Sequence, residues 1–248
     1  KMGPAARPVV VPAVLPLLQD PDDFVKQCAV AVLGAMGRES APQVKKLLPL
    51  LAASSVAKEN TEDPFGSNTS GLQGATQQAL IQIGETDAPA ALRVLLPLLL
   101  KSGGEEKERV MWALTAVGQH ATPAVVGDLL PLFRSPDPEV SSTARLMVMD
   151  IQHRYPQVVS AYAPALLQLL TDSGSGVKIR VLQVLRWMDK KAAPSVVPVL
   201  LALLRDADSH VRYNASLALG TVARDDLTSL KQLLPLLADS ASVVRETA

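Results

Sequence analysis

Apolar residues along this chain recur in two phrases that alternate with polar turns. The first is Leu15-Pro16-Leu17-Leu18, which returns as Leu48-Pro49-Leu50-Leu51, Leu96-Pro97-Leu98-Leu99 and Leu130-Pro131-Leu132-Phe133. With the proline replaced it reads Leu167-Gln168-Leu169-Leu170 and Leu201-Ala202-Leu203-Leu204, and Leu234-Pro235-Leu236-Leu237 closes the series. Successive offsets are 33, 48, 34, 37, 34 and 33 residues, a regularity that chance does not produce. The second phrase follows each first one. It runs from Val25-Lys26 through Ala29 and Leu33 to Gly37, and again from Val211-Arg212 through Ala215 and Leu219 to Ala223. The same frame fits 72–84, 106–118, 140–152 and 177–189, and Val244-Arg245 opens a seventh copy. Apolar or small residues fall at relative positions 1, 5, 8, 9 and 12 of the frame, which is one face of a helix.

Turn chemistry separates the two phrases: Gln19-Asp20-Pro21-Asp22, Ser135-Pro136-Asp137-Pro138, Asp172-Ser173-Gly174-Ser175, Asp206-Ala207-Asp208-Ser209 and Asp239-Ser240-Ala241-Ser242. Aspartate and serine there cap the second helix, and proline suits its first turn. Earlier prolines in the first helices, such as Pro12, Pro42, Pro89, Pro123, Pro164, Pro194 and Pro198, mark helix starts. The prolines inside the leucine phrase are expected to bend the helix, because each removes one backbone hydrogen bond and crowds the preceding turn.

These residues resemble the HEAT repeat family: a helix A, an Asp/Pro turn, then a helix B with a Val-Arg opening and an Ala-x-x-x-Leu-Gly core. The repeat length is closer to the short, phycobilisome-lyase-like variety than to the longer repeats of importins or phosphatase scaffolds. The resemblance covers essentially the whole chain. It implies an all-α fold, a right-handed α-solenoid of six to seven antiparallel helix pairs forming a single domain over 1–248. The expected repeats are 7–37, 41–84 with an insertion at 52–70, 88–118, 122–154, 158–190, 193–223 and an incomplete 227–248. In the family, the Asp before helix B and the cation at its second position form a ladder between repeats. Here the matching cations are Lys26, Lys107, Lys178, Arg212 and Arg245, while Gln73 and Ser141 depart from the pattern.

Composition agrees with closely packed helices. Hydrophobic residues make up 48% of the 248 residues but aromatics only 3%, so the core is built from Leu, Val and Ala. Basic and acidic side chains balance at 24 each, which argues against a surface made to neutralise nucleic-acid phosphates. Nowhere do 18 apolar residues run together, so no membrane-spanning helix is expected. Lys1-Met2-Gly3-Pro4 does not read as a signal peptide, and Val243 to Ala248 opens a helix and then stops, as in a trimmed chain. The single cysteine, Cys28, excludes an intrachain disulfide framework and fits a reducing, cytoplasmic compartment. Lying one residue before the core alanine of its helix, it reads as a small buried side chain.

Catalytic signatures are sparse. His120, His153 and His210 lie in different repeats without neighbouring metal ligands at a recognisable spacing. They lack the repeated His-Glu pairs of HEAT-type hydroxylases, being followed by Ala121, Arg154 and Val211. No metal or cofactor is expected. Trp112 prompts comparison with HEAT-like DNA glycosylases, but Ala116 stands one turn on, where an acid would be required. Phosphate loops, nucleophile elbows and Cys-x-x-Cys pairs are missing from the sequence.

In this architecture the B helices line the concave side, so their columns outside the core become an inner surface. Positions 6, 7, 10 and 11 are bland in the first repeat: Val30, Ala31, Gly34 and Ala35. In the third to fifth they include Met111 and Trp112; Arg145, Leu146 and Met149; and Leu182, Arg186 and Trp187, with Ile179 and Tyr213 added at position 3. Tryptophan, methionine, leucine, tyrosine and arginine together are the composition of a protein-binding hot spot. The insertion supplies Phe65 as one further possible contact. The reading is a non-catalytic scaffold or adaptor that holds a protein or peptide. The alternative is a HEAT-type enzyme or enzyme subunit, of the bilin-lyase or DNA-glycosylase kind.

Overall fold

The computed structural model describes residues 7–52, 71–171, 174–188 and 193–247. Every element among them is helical, and the chain divides into two compact units, Lys1–Val125 and Val126–Ala248.

In the first unit, α1 (Arg7–Val14) continues as the 3-10 turn Leu15–Gln19 and packs against α2 (Asp23–Met36). The 3-10 segment Gly37–Ala52 lies against α3 (Leu72–Leu99), followed by α4 (Gly104–Gly118) and the short turn Pro123–Val125. α3 joins the B helix of one repeat to the A helix of the next. Asp87, at φ −155° and ψ 66°, interrupts it. The Asp87 carboxylate accepts the Ala90 N–H at 3.1 Å, capping the second half, and pairs with Arg38 at 3.2 Å. Small residues let neighbouring B helices approach. A Cβ added at Gly34 would lie 2.9 Å from the Ala79 Cα, and one at Gly84 would lie 3.1 Å from the Val117 Cα.

The second unit holds α5 (Val126–Leu129) with the 3-10 turn Leu130–Arg134, then α6 (Pro138–Arg154). Next come the 3-10 turn Pro156–Tyr162, α7 (Ala163–Thr171), α8 (Ser175–Leu185), α9 (Ala193–Leu203) and α10 (Ser209–Val222). The last pair is α11 (Leu227–Leu230) with the 3-10 segment Lys231–Ala238, and α12 (Ser242–Arg245). α8 packs between α6 and α10, so three successive B helices stand side by side.

Proline accompanies a tighter winding in most of the leucine phrases. In four of the five phrases that carry it, at Pro16, Pro49, Pro131 and Pro235, the backbone tightens to a 3-10 helix. The phrases with Gln168 and Ala202 stay α-helical, as does the one with Pro97. Tightening is the physical response to a missing N–H: with one i to i−4 bond unavailable, adjacent groups shift to i to i−3 partners.

The turns are capped as the aspartates suggest. The N–H groups of Phe24, Glu139 and His210 donate to Asp22, Asp137 and Asp208 at 2.8, 2.9 and 2.8 Å. A second tier lies behind the first, since Asp20 and Asp206 accept the N–H groups of Asp22 and Asp208 at 2.9 and 3.0 Å. Two rungs of the ladder join adjacent repeats: Lys178 to Asp206 at 2.7 Å, and Arg212 to Asp239 at 2.7 Å. The Asp206 carboxyl feels burial, which raises its pKa, yet the Lys178 hydrogen bond, the Asp208 N–H and the Lys178 charge bring it below the ordinary value.

Two expectations need correction. Lys26 does not bridge repeats; it pairs with Asp23 of its own helix at 2.7 Å, three residues back. Cys28 is exposed, not buried. One residue along a helix is a rotation of about 100°, enough to carry the thiol off the stripe that buries Ala29.

Candidate functional site

In the first unit Trp112 stands on α4 and is 40% exposed. It borders a cleft of about 340 Å³ between the B half of α3 and α4. Gly74 and Ala116 leave room at its floor, Ile81 adds apolar surface, and Gln77, Gln78, Gln119 and Thr115 complete the wall. All of these side chains are uncharged, and each carboxamide offers both a donor and an acceptor. Met111 is half-buried beside Trp112.

In the second unit α6 carries Arg145, Leu146 and Met149. Leu146 is exposed, and the Arg145 Nη1 lies 3.2 Å from the Met149 Sδ, so these two half-buried side chains hold each other. Arg145 also acts on Arg180, whose pKa is lowered first by burial and then by the Arg145 charge. Arg180 is engaged elsewhere, donating from Nε and Nη2 to the Phe133 carbonyl at 3.2 and 2.9 Å. At the end of α8, Trp187 is 61% exposed, and the Arg186 guanidinium lies 5.8 Å from its ring centroid. An exposed stack of that kind contributes about 0.5–1 kcal/mol and keeps the indole oriented. Ile179 on α8 and Tyr213 on α10 are half-buried.

Leu182 does not belong to an open surface. It is fully buried, as is Val30 in the same column. Position 6 of the frame lies on the flank of the core stripe, and Ser216 in that column is buried as well. Phe65 and the rest of the insertion over 53–70 lie outside the described residues.

The column reading overlooked Gln77, Gln78 and Ile81. They occupy positions 6, 7 and 10 of the second repeat, so the signal was present in the periodicity of that repeat. Gln119 lies past the end of the frame and had no such signal. Among the described residues, no group of three or more His, Cys, Asp or Glu side chains is placed to hold a metal ion. No described helix is long and apolar enough to cross a membrane.

Comparison with known proteins agrees with the repeats. A family profile described as HEAT repeats matches residues 163–248, and one described as HEAT repeat matches residues 10–40. Both matched stretches carry HEAT repeats, and every described element is helical, as an all-α repeat fold requires. No curated protein sequence matches this chain. Among solved structures it is similar to Kap121p, with TM-score 0.49 and 16% identity over 96% of this chain and 28% of that one. It is also similar to Kap121p bound to Nup53p, with TM-score 0.47 and 17% identity over 98% of this chain and 29% of that one. The chain thus spans less than a third of the length of these proteins.

Proposed function

We propose that this chain is a protein-binding scaffold that holds a partner protein or peptide on its B-helix faces and acts without catalysis. The observation that carries the reading is the half-exposed Trp112 over an uncharged cleft walled by carboxamides. A large aromatic surface left partly in water gains free energy when a partner covers it, and glutamines are matched to the donors and acceptors of a peptide backbone. Exposed Leu146 and Trp187, with Arg145 and Arg186 beside them, supply a second apolar surface edged with positive charge. Partner acids would pair with those arginines, and Met111, Met149, Ile179 and Tyr213 would add adaptable contact area.

The test is affinity purification from the native source with the wild-type chain, Trp112→Ala, Trp187→Ala and the double variant, each checked by circular dichroism. The reading expects a partner whose recovery falls in at least one single variant and is lost in the double, with helicity unchanged. Equal recovery by all four proteins would remove these surfaces from the proposal.

A further inference from the structure

We propose that the face shared by α6 and α8 takes an acidic segment of a partner protein, one of its carboxylates seated between Arg145 and Arg180. The partner is the one that the scaffold reading above requires, so its acidity depends on that reading. Two contacts fix which flank of a B helix meets the next repeat. Gln152 on α6 donates from Nε2 to the Val184 carbonyl of α8 at 3.3 Å, and Lys178 on α8 reaches Asp206 at 2.7 Å. These residues hold positions 13 and 2 of the frame, and position 6, where Arg145 stands, projects from the same flank. Arg180, at position 4, leaves its helix by the opposite flank and turns back to the Phe133 carbonyl of the preceding repeat. The two side chains therefore enter the space between α6 and α8 from opposite sides, and both are half-buried. Burial and then the Arg145 charge lower the Arg180 pKa, as neighbouring cations require.

No carboxylate among the described residues offsets this pair. Asp150, on the same helix as Arg145, is held by Arg154, which donates from Nε and Nη2 at 2.9 and 2.6 Å. Arg145 gives Nη1 to the Met149 sulfur, a weak acceptor, and Arg180 gives Nε and Nη2 to a single carbonyl, so neither charge is neutralised. Arg186, stacked on Trp187, is a third cation with no acid partner among the described residues.

The first unit shows the same positions in a neutral form. Arg109 on α4 also stands at position 4 of its frame, and it pairs with Glu105, four residues back, at 3.7 Å. Four residues before Arg180 stands Gly176, and Gln77 holds position 6 where the second unit has Arg145. Both differences add positive charge to α6 and α8. A carboxylate between the two guanidinium groups gains charge-assisted hydrogen bonds and relieves their repulsion, whereas a neutral or basic segment leaves it standing. Leu146 and Trp187, exposed on the same two helices, offer apolar surface to residues next to the acid. Three arginines on a chain of balanced charge suit a few carboxylates better than a nucleic-acid backbone.

The experiment titrates the 248-residue chain into a fluorescent peptide of alternating glutamate and leucine, its glutamine–leucine counterpart and a single-stranded oligothymidylate, followed by anisotropy at low salt. The glutamate peptide should bind at least about tenfold more tightly than the glutamine one, and the preference should shrink as salt rises. Arg145→Gln copies Gln77, and Gly176→Glu gives Arg180 the acid that Arg109 has. Each should reduce the preference to about threefold or less. Arg205→Gln, which removes an exposed arginine elsewhere, should leave it unchanged. Circular dichroism checks that each variant is folded. Equal affinity for the two peptides, tighter binding of the oligothymidylate, or indifference to both Arg145→Gln and Gly176→Glu overturns the proposal. Loss of the acidic preference alone leaves the scaffold reading standing. Absence of peptide binding, together with equal partner recovery by the Trp112 and Trp187 variants, removes both.

Discussion

Arg212 and Asp239 form a side-on pair: Nε donates to Oδ2 and Nη2 to Oδ1, both at 2.7 Å, joining the sixth repeat to the seventh. Both side chains are largely covered. The Arg212 hydrogen bond, followed by the Ala241 N–H, holds the Asp239 carboxyl down from 3.8 to about 2.

A carboxyl whose folded pKa is depressed stabilises the native state above its unfolded value and loses that contribution as pH falls through the folded one. The Arg212–Asp239 pair should therefore be fully effective above about pH 4 and lost between about pH 4 and pH 2. Acid unfolding followed by circular dichroism should show the wild type holding its last repeats to lower pH than Arg212→Met. At neutral pH Arg212→Lys should fall between them, since lysine keeps the charge but not the fork.

Gly34 permits close contact between B helices. An added Cβ would collide with the Gln82 Oε1 and, less avoidably, lie 2.9 Å from the Ala79 Cα. Gly34→Ala should cost about 1–3 kcal/mol through overpacking. Gly220, in the interior of α10 with open space around its missing side chain, is the control. There alanine should stabilise by about 0.5–1 kcal/mol through helix propensity. Urea titration of both variants checks the opposite signs.

Leu204 and Leu237 occupy the same place in consecutive repeats, one buried and the other exposed. Leu204→Ala should destabilise by about 2–5 kcal/mol. Leu237→Ala should change the stability of the dilute chain by no more than about 0.5 kcal/mol. Equal losses in denaturant melts would contradict the burial difference between these two leucines.

Cys28 is the only cysteine, and it is exposed. One thiol should react with an aromatic disulfide reagent in the native protein, at a rate close to that in denaturant. Protection until unfolding would place it in the core after all.

The helices, their pairing and the caps were legible along the chain because each depends on local spacing. Leu15 to Leu18 and its copies carry the repeat, Asp22, Asp137 and Asp208 carry the caps, and positions 1, 5, 8, 9 and 12 carry the buried face. What local spacing left open was rotation and reach. Lys26 turned to its own helix because Asp23 was one turn away, whereas Arg212 crossed to Asp239. Cys28 and Leu182 exchanged their expected surroundings because a flank of a helix is core or surface according to what packs beside it. The Trp112 cleft is lined by residues of two separate helices, Gly74 on one and Ala116 on the other among them, a juxtaposition in space that no period along the chain records. Sequence determines which stripe each helix must hide; packing between helices decides which of the remaining side chains stay in water and face a partner.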